Sequence, residues 1–248
     1  MPVQSLARTA AGLAVAGSVL AHAGHALAET GQLGLVADGE DLAAEGFLEP
    51  ELTKDGWELR FDSILVTLAN VTAHQTEPPY DAESGAAIQA VTSVTLVDRP
   101  VTIDLLATDE NGGVEVATVE APAGFYNALA WDLVPGEDGA SMILIGTATR
   151  DGETVDFRLV TSDAVRHLCG EYVGDERKGI LAAGGEAALD ATFHLDHLFG
   201  RADKPADDAM NTGALGFDPF AAGGEHGFAL DGLHVGHVGE GHCHVEAL

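Results

Sequence analysis

The sequence predicts a mainly β protein, an antiparallel immunoglobulin-like β-sandwich that ends in an irregular segment rich in glycine and histidine. Two observations predict this class. Short β-branched runs separated by turn signals fill the chain from about residue 57 to 165, and this regularity is lost after about residue 200. We therefore expect a sandwich domain over 55–200 and a histidine-rich metal-binding segment over 201–248, packed on the sandwich.

The individual strands are predicted from their alternation of apolar and polar residues and from their β-branched content. The sharpest turn signal is Asp151-Gly152, because Asp-Gly suits the two positive φ angles of a tight hairpin. A later run, Leu189 to Leu195, alternates and predicts a half-buried strand. The earlier runs cover 57–61, 64–71, 88–97, 101–106, 114–119, 125–134, 142–149 and 154–160.

The first 28 residues have the pattern of a cleavable secretory signal. Arg8 is their only charge, an apolar stretch follows it, and Ala-Leu-Ala occupies residues 26–28. A membrane anchor is disfavoured because the apolar run is short and is followed by His22 and His25. We therefore predict a periplasmic or secreted protein with no membrane insertion after the signal is removed.

The chain is strongly acidic, with 40 Asp and Glu against 11 Lys and Arg and a net charge of −29. Such a surface repels nucleic acid and anionic membranes, which excludes both as partners. The acids are spread along the whole chain, which favours solubility in a saline medium over the gathering of cations at one site. Residues 29–54 are especially acidic and predict a solvated lead-in with one helical turn.

Two stretches of the β-rich region carry a resemblance to known proteins. The first is Asp55 to Val66, and the second is Val114 to Leu133, which contains Glu-Ala-Pro-Ala-Gly-Phe-Tyr. Both resemble exported bacterial β-sandwich proteins, in which a strand ends in Pro-x-Gly-x-Tyr and the next strand follows at once. These include copper-binding proteins of the methanobactin-associated type and uncharacterised lipoproteins. The resemblance implies a sandwich fold and export, and it assigns no ligand residue.

The two cysteines are Cys169 and Cys243. An even count in an exported chain predicts a disulfide between them, which would close a long loop and stabilise the fold by about 4 kcal/mol. The alternative is that Cys243, which lies between His242 and His244, binds a metal ion as a thiolate.

Histidine is concentrated in the C-terminal region, where seven of the 11 histidines follow residue 193. Neutral imidazole is a strong ligand for transition metal ions, and a tetrahedral site needs three or four such donors. Short-spaced pairs from separated segments can build one, so we predict that four of these histidines converge on one ion, with a fifth, His242, as the alternate. The predicted ligands are His194, His197, His234, His237 and His242.

Three further residues are candidates for ligation or for orienting a ligand, namely Asp196, Glu240 and His244. His226 is expected in a loop, and His74 and His167 are expected as ordinary surface or core residues. Zinc is the first choice of metal, with copper, nickel and iron as alternatives. Calcium is disfavoured because the chain lacks an Asp-x-Asp-x-Asp-Gly loop.

The sequence leaves three functions open. The first is an exported carrier or scavenger of zinc or a similar ion that works with a metal transporter or its binding component. The second is a metal-dependent hydrolase, although His-Glu-x-x-His and Gly-x-Ser-x-Gly are both absent. The third is an acidic extracellular interaction protein that binds metal adventitiously. An enzyme is the less favoured class.

Overall fold

The computed structural model describes residues 1, 29–108, 112–170, 179–238, 241 and 243–248. The predicted signal, apart from Met1, lies outside the described residues, as do Glu240 and His242. Strands dominate and the helices are short, so the prediction of a mainly β protein is confirmed. Within the described ranges, no helix is long and apolar enough to cross a membrane.

The regular elements of the described ranges are mostly strands, with three short α-helices between them. The strands are β1 (Thr30–Asp38), β2 (Glu58–Thr76), β3 (Ala90–Val97), β4 (Val101–Asp104), β5 (Val114–Pro122), β6 (Gly124–Phe125), β7 (Ala128–Leu133), β8 (Met142–Arg150), β9 (Glu153–Thr161), β10 (Val165–Gly170), β11 (Ile180–Leu181), β12 (Glu186–Phe193), β13 (Gly224–Gly227), β14 (Gly236–His237) and β15 (Cys243–Ala247). The α-helices are α1 (Glu40–Ala44), α2 (Asp196–Phe199) and α3 (Ala209–Gly213). Short 3₁₀ turns lie at Pro50–Leu52, Ala82–Ser84 and Asp218–Phe220.

Most strands belong to two sheets. The larger sheet has the order β13-β9-β8-β2-β7-β10-β15, and the long strand β2 also pairs with β3 and β4. The smaller sheet has the order β14-β12-β1-β5, and β6 forms a separate ribbon with β11. The predicted hairpin at Asp151-Gly152 is confirmed, because both residues have positive φ, at 54° and 84°, between the antiparallel strands β8 and β9.

The two sheets pack against each other around a large apolar core. Leu33 and Leu35 of β1 and Leu189 of β12 are fully buried and face the core from the smaller sheet. Between the sheets, the ring of Trp131 in β7 lies 5.4 Å from the ring of Phe193 in β12. Alternating burial along the strands thus gives the sandwich-like arrangement that the sequence pattern predicts.

The expectation of a solvated lead-in over residues 29–54 is wrong for its first part. Strand β1 lies inside the smaller sheet, where it pairs with β12 on one side and with β5 on the other. Its alternate residues Leu33, Leu35 and Ala37 are fully buried, which is the burial pattern of a sheet strand. The acidic residues that follow β1 dominate the composition of residues 29–54 and obscure the apolar alternation of the strand. The single helical turn expected in this stretch is α1.

Two strand pairs depart from the wholly antiparallel sandwich that the sequence predicts. Strand β1 runs parallel to β12, and β9 runs parallel to β13. Parallel neighbours require long connections. Both pairs meet this requirement, because each joins a strand from the C-terminal part of the chain, β12 or β13, to a strand much earlier in the sequence. Local alternation predicts that a strand exists but does not specify the direction of its partner.

The C-terminal segment is built into both sheets. Strand β13 extends the larger sheet at β9, β15 closes its other edge at β10, and β14 pairs with β12 of the smaller sheet. The predicted disulfide is confirmed, because Cys169 and Cys243 are bonded across the β10–β15 pair. The histidine-rich segment is therefore held on the sandwich at several points.

Candidate metal centre

The first His-x-x-His pair lies where β12 ends. His194 directly follows the strand, and its backbone N–H donates a hydrogen bond of 2.9 Å to the carbonyl of Val235. The backbone N–H of His197 then donates to the carbonyl of His194 at 3.2 Å, as α2 begins. This tight turn brings the two imidazole centroids to 5.6 Å from each other.

The second segment brings a third imidazole to the same place. In the β12–β14 pair, His237 is in register with Thr192 and Gly236 is in register with Phe193. As a result, the His237 ring centroid lies 4.4 Å from that of His194 and 5.0 Å from that of His197. Three histidines from two distant segments of the chain therefore form one cluster.

A carboxylate completes the group. One ligand atom each from His194, Asp196 and His197 lies within 4.8 Å of the others, and all three residues are partly buried. A zinc ion binds nitrogen and oxygen at about 2.0–2.2 Å, so its tetrahedral ligand atoms are about 3.3 Å apart. The grouping therefore places three donor atoms near the spacing that a metal site needs.

Two polar atoms of the cluster are buried without a hydrogen-bond partner among the described residues. They are Nε2 of His194 and Oδ1 of Asp196. Leaving a buried polar atom unpaired costs about 1–3 kcal/mol, so such atoms call for a physical reason. A cation between a ring nitrogen and a carboxylate oxygen would satisfy both, and the residues present therefore fit a transition metal ion.

The protonation state of His197 also suits ligation. Burial lowers the pKa of this imidazole, the nearby His194 and His234 lower it further, and the Asp196 carboxylate and the hydrogen bond to the His234 backbone oppose the change. A metal ion binds the neutral imidazole, so a lowered pKa removes proton competition at neutral pH.

His234 enters the cluster through its backbone rather than its ring. Its carbonyl oxygen lies 3.0 Å from Nε2 of His237. The His234 ring itself is exposed and lines a cavity of about 400 Å³ together with His197 and His237. The structure thus brings together the rings of three of the predicted ligands, with Asp196 beside them, and places His234 at the rim.

The remaining histidines of the described chain lie elsewhere. His244 points to the other side of β15, where it packs against Gly85 and its Nε2 lies 3.6 Å from Glu246. His226 and His74 make local hydrogen bonds, to a backbone carbonyl and to a serine hydroxyl respectively. The predicted candidates Glu240 and His242 fall outside the described residues.

A buried aromatic pair lies directly beneath the cluster. The His167 ring stacks on Trp131 at 3.7 Å with an interplanar angle of 8°. Both rings press against Gly236, where a Cβ atom would lie 2.5 Å from Nε2 of His167 and 2.4 Å from the Trp131 ring. Only glycine fits next to His237 at this position, so the pair fixes how closely β14 approaches the core.

His167, expected as an ordinary surface or core residue, has an exposure of 1%, which places it in the core. Burial lowers the pKa of His167 to about 3, and repulsion from His237 and His234 contributes in the same direction, whereas Asp132 opposes it. The folded protein therefore excludes a proton that the unfolded chain accepts below about pH 6.5.

We expect the metal-free protein to lose stability as the pH falls from 6.5 towards 3. In this window the unfolded state binds more protons than the folded state, so the free energy of unfolding decreases with falling pH. His167 alone should contribute about 2–3 kcal/mol between pH 6.5 and 4.5. Urea denaturation of the parent and of His167→Leu at both pH values checks this, and equal losses in the two proteins would contradict it.

One residue near the cluster carries no signal in the sequence. Oε2 of Glu40, 154 positions before His194, lies 3.5 Å from Nδ1 of that histidine. Glu40 stands among many acids in a stretch that predicts only solvated chain. Its position follows from strand pairing alone, which local sequence patterns do not reveal.

No family model, curated protein or solved structure matches this chain. The class of site is therefore defined by its geometry. It is a cluster of imidazoles and one carboxylate suited to a transition metal ion, held where the smaller sheet of a β-sandwich meets the C-terminal segment. The resemblance to exported bacterial sandwich proteins remains an expectation based on the two stretches that carry it.

Proposed function

We propose that the protein is an exported binding protein for a transition metal ion, a periplasmic or secreted carrier or scavenger. One observation carries this proposal. The ring centroids of His194, His197 and His237 lie 4.4–5.6 Å apart, and the Asp196 carboxylate lies beside the first two of these rings. Export is supported by the signal pattern of residues 1–28 and agrees with the Cys169–Cys243 disulfide, since such bonds persist in oxidising compartments.

The donor set favours zinc. Three imidazoles and one carboxylate provide the borderline nitrogen and oxygen ligands that zinc takes in a tetrahedral site. Copper(II), nickel and iron accept the same donors and are the alternatives. Calcium prefers an all-oxygen shell, which the three imidazoles of this cluster do not provide.

The surroundings of the cluster support reversible binding. His194 and His197 are only partly buried, and the cavity of about 400 Å³ gives access to His197 and His237 from one side. The acidic residues are spread along the whole chain, so any attraction of cations by the net charge of −29 is general and is screened by salt. A carrier needs such access to exchange its ion with a partner, for which a metal transporter or its binding component is the natural choice.

The same cavity favours a metal-dependent hydrolase as the second candidate. A hydrolytic site needs an open coordination position and a nearby base, and the exposed His234 ring lines the cavity beside His197 and His237. Turnover of ester, amide or phosphate substrates by the zinc-loaded protein would support the hydrolase. Lack of turnover would favour the carrier.

Elemental analysis of protein purified without a tag tests the proposed function. We expect one zinc, or a similar ion, per chain, and one ion bound again when zinc is titrated calorimetrically into chelator-treated protein. The affinity for zinc should decrease as the pH falls through about 6.5, because the imidazoles must lose their protons before they bind the ion. A protein that retains no metal and shows no zinc binding in calorimetry would contradict the proposal. The acidic extracellular interaction protein would then be the remaining hypothesis.

A further inference from the structure

The end of the parallel β1–β12 pair brings two residues from distant parts of the chain together. Asp38, the last residue of β1, is in register with Thr192 near the end of β12. Glu40 lies two residues after Asp38, and His194 lies two residues after Thr192, so both lie just past the ends of their strands. Because parallel strands end at the same edge of a sheet, the chain carries both residues away from the same edge.

The local backbone holds Glu40 in an unusual conformation. Its φ is 56°, in the left-handed region that residues other than glycine rarely adopt. Its N–H donates a 2.7 Å hydrogen bond to Oδ1 of Asp38, which stabilises this turn between β1 and α1. The turn directs the side chain towards the neighbouring segment, and Oε2 of Glu40 lies 3.5 Å from Nδ1 of His194.

This contact distinguishes the two nitrogens of the His194 ring. A carboxylate beside Nδ1 favours the tautomer that carries its proton there, which leaves the lone pair on Nε2. Nε2 is the buried nitrogen that has no hydrogen-bond partner in the described part of the chain. The ring therefore has one nitrogen beside a carboxylate and a second, buried nitrogen that could serve as a ligand.

We propose that Glu40 is a positioning residue of the metal centre, which holds the His194 ring through Nδ1 so that Nε2 binds the ion. This assignment rests on the proposed function. Ligating histidines commonly donate their other N–H to a carboxylate, which fixes the ring and raises its basicity. Glu40 is 41% exposed, and its role is to act through His194 rather than to bind the ion itself.

Asp41 provides a matched control. It follows Glu40 in α1 and carries the same charge, and it lines the same acidic surface with Asp38 and Glu40. A general attraction of the ion by surface acids would be weakened equally by Glu40→Ala and Asp41→Ala. Orientation of His194 is lost only with Glu40.

The experiment measures zinc affinity by competition with a chromophoric chelator, for the full parent chain and both variants, at 0.1 and 1 M sodium nitrate. We expect Glu40→Ala to bind about 10–100-fold more weakly than the parent, since this is the usual effect of removing such a partner. Asp41→Ala should remain close to the parent. The Glu40 effect should persist at 1 M salt, because a partly buried pair in contact is screened much less than separated charges on the surface.

Glu40→Gln, compared with Asp41→Asn, keeps the side-chain size and an acceptor oxygen. It should lose only about fivefold, because a neutral acceptor replaces a charged one, and it carries the test if the alanine variant fails to fold. Equal affinities for the Glu40 variants and their Asp41 controls, or a loss that vanishes at 1 M salt, would overturn the assignment while the proposed function stands. A parent protein that binds no zinc would overturn both.

Discussion

Replacing His194 and His197 together by alanine should abolish tight zinc binding. The two residues supply two of the three clustered imidazoles and flank Asp196, so their loss leaves His237 in the cluster with His234 at its rim. Four-ligand zinc sites in small domains bind with about 10–16 kcal/mol, so the loss of two donors should cost about 5 kcal/mol or more. Calorimetric titration should therefore show an affinity reduced by at least about a thousandfold.

The matched control is the double variant His74→Ala and His226→Ala. Both of these histidines make local hydrogen bonds away from the cluster, so their loss removes the same number of imidazoles without touching the site. We expect it to bind zinc like the parent. If the His194 and His197 variant also binds like the parent, the turn after β12 does not ligate, and the C-terminal histidines act as a loose tail.

Breaking the Cys169–Cys243 disulfide should strongly destabilise the fold. The bond joins residues 74 positions apart, and in the chain-entropy model a loop of that length contributes about 4 kcal/mol to the free energy of unfolding. It also ties the terminal strand β15 to β10, next to the cavity that His197 and His237 line. Urea denaturation of Cys169→Ala with Cys243→Ala should show a correspondingly lower free energy of unfolding.

The unchanged protein under a dithiol reductant is the control for this prediction. Cys169 is fully buried, so alanine also removes packing, whereas reduction isolates the bond itself. The reduced protein and the substituted protein should both have a lower free energy of unfolding than the oxidised protein, and that of the substituted protein should be slightly the lower of the two. Coincident urea midpoints of the oxidised and reduced protein would contradict the expected stabilisation.

The candidate metal centre depends on the same contacts that hold the C-terminal segment in the fold. Gly236 rests against the stacked pair of Trp131 and His167, and its neighbour His237 is in register with Thr192 of β12. The ligand from the distant segment is therefore positioned by the core. A site formed in this way is largely preorganised, so little of the binding free energy is spent on ordering the chain.

The sequence by itself determined the features that depend on local pattern or composition. Alternating apolar residues predicted the mainly β class, and Asp151-Gly152 predicted its hairpin because two positive φ angles need such residues. The even cysteine count predicted the Cys169–Cys243 bond. The concentration of histidine after residue 193 indicated the region of the metal centre, since imidazoles that are rare elsewhere were gathered there.

Only the tertiary structure decided which of those side chains meet. The parallel pairing of β1 with β12 converted an expected solvated lead-in into a core strand and placed Glu40 opposite His194. The β12–β14 register brought His237 to the first pair, while β15 directed His244 to its other side, towards Gly85. The physical reason is that periodicity specifies which face of a strand is buried, whereas the choice of partner, direction and register comes from packing between distant segments.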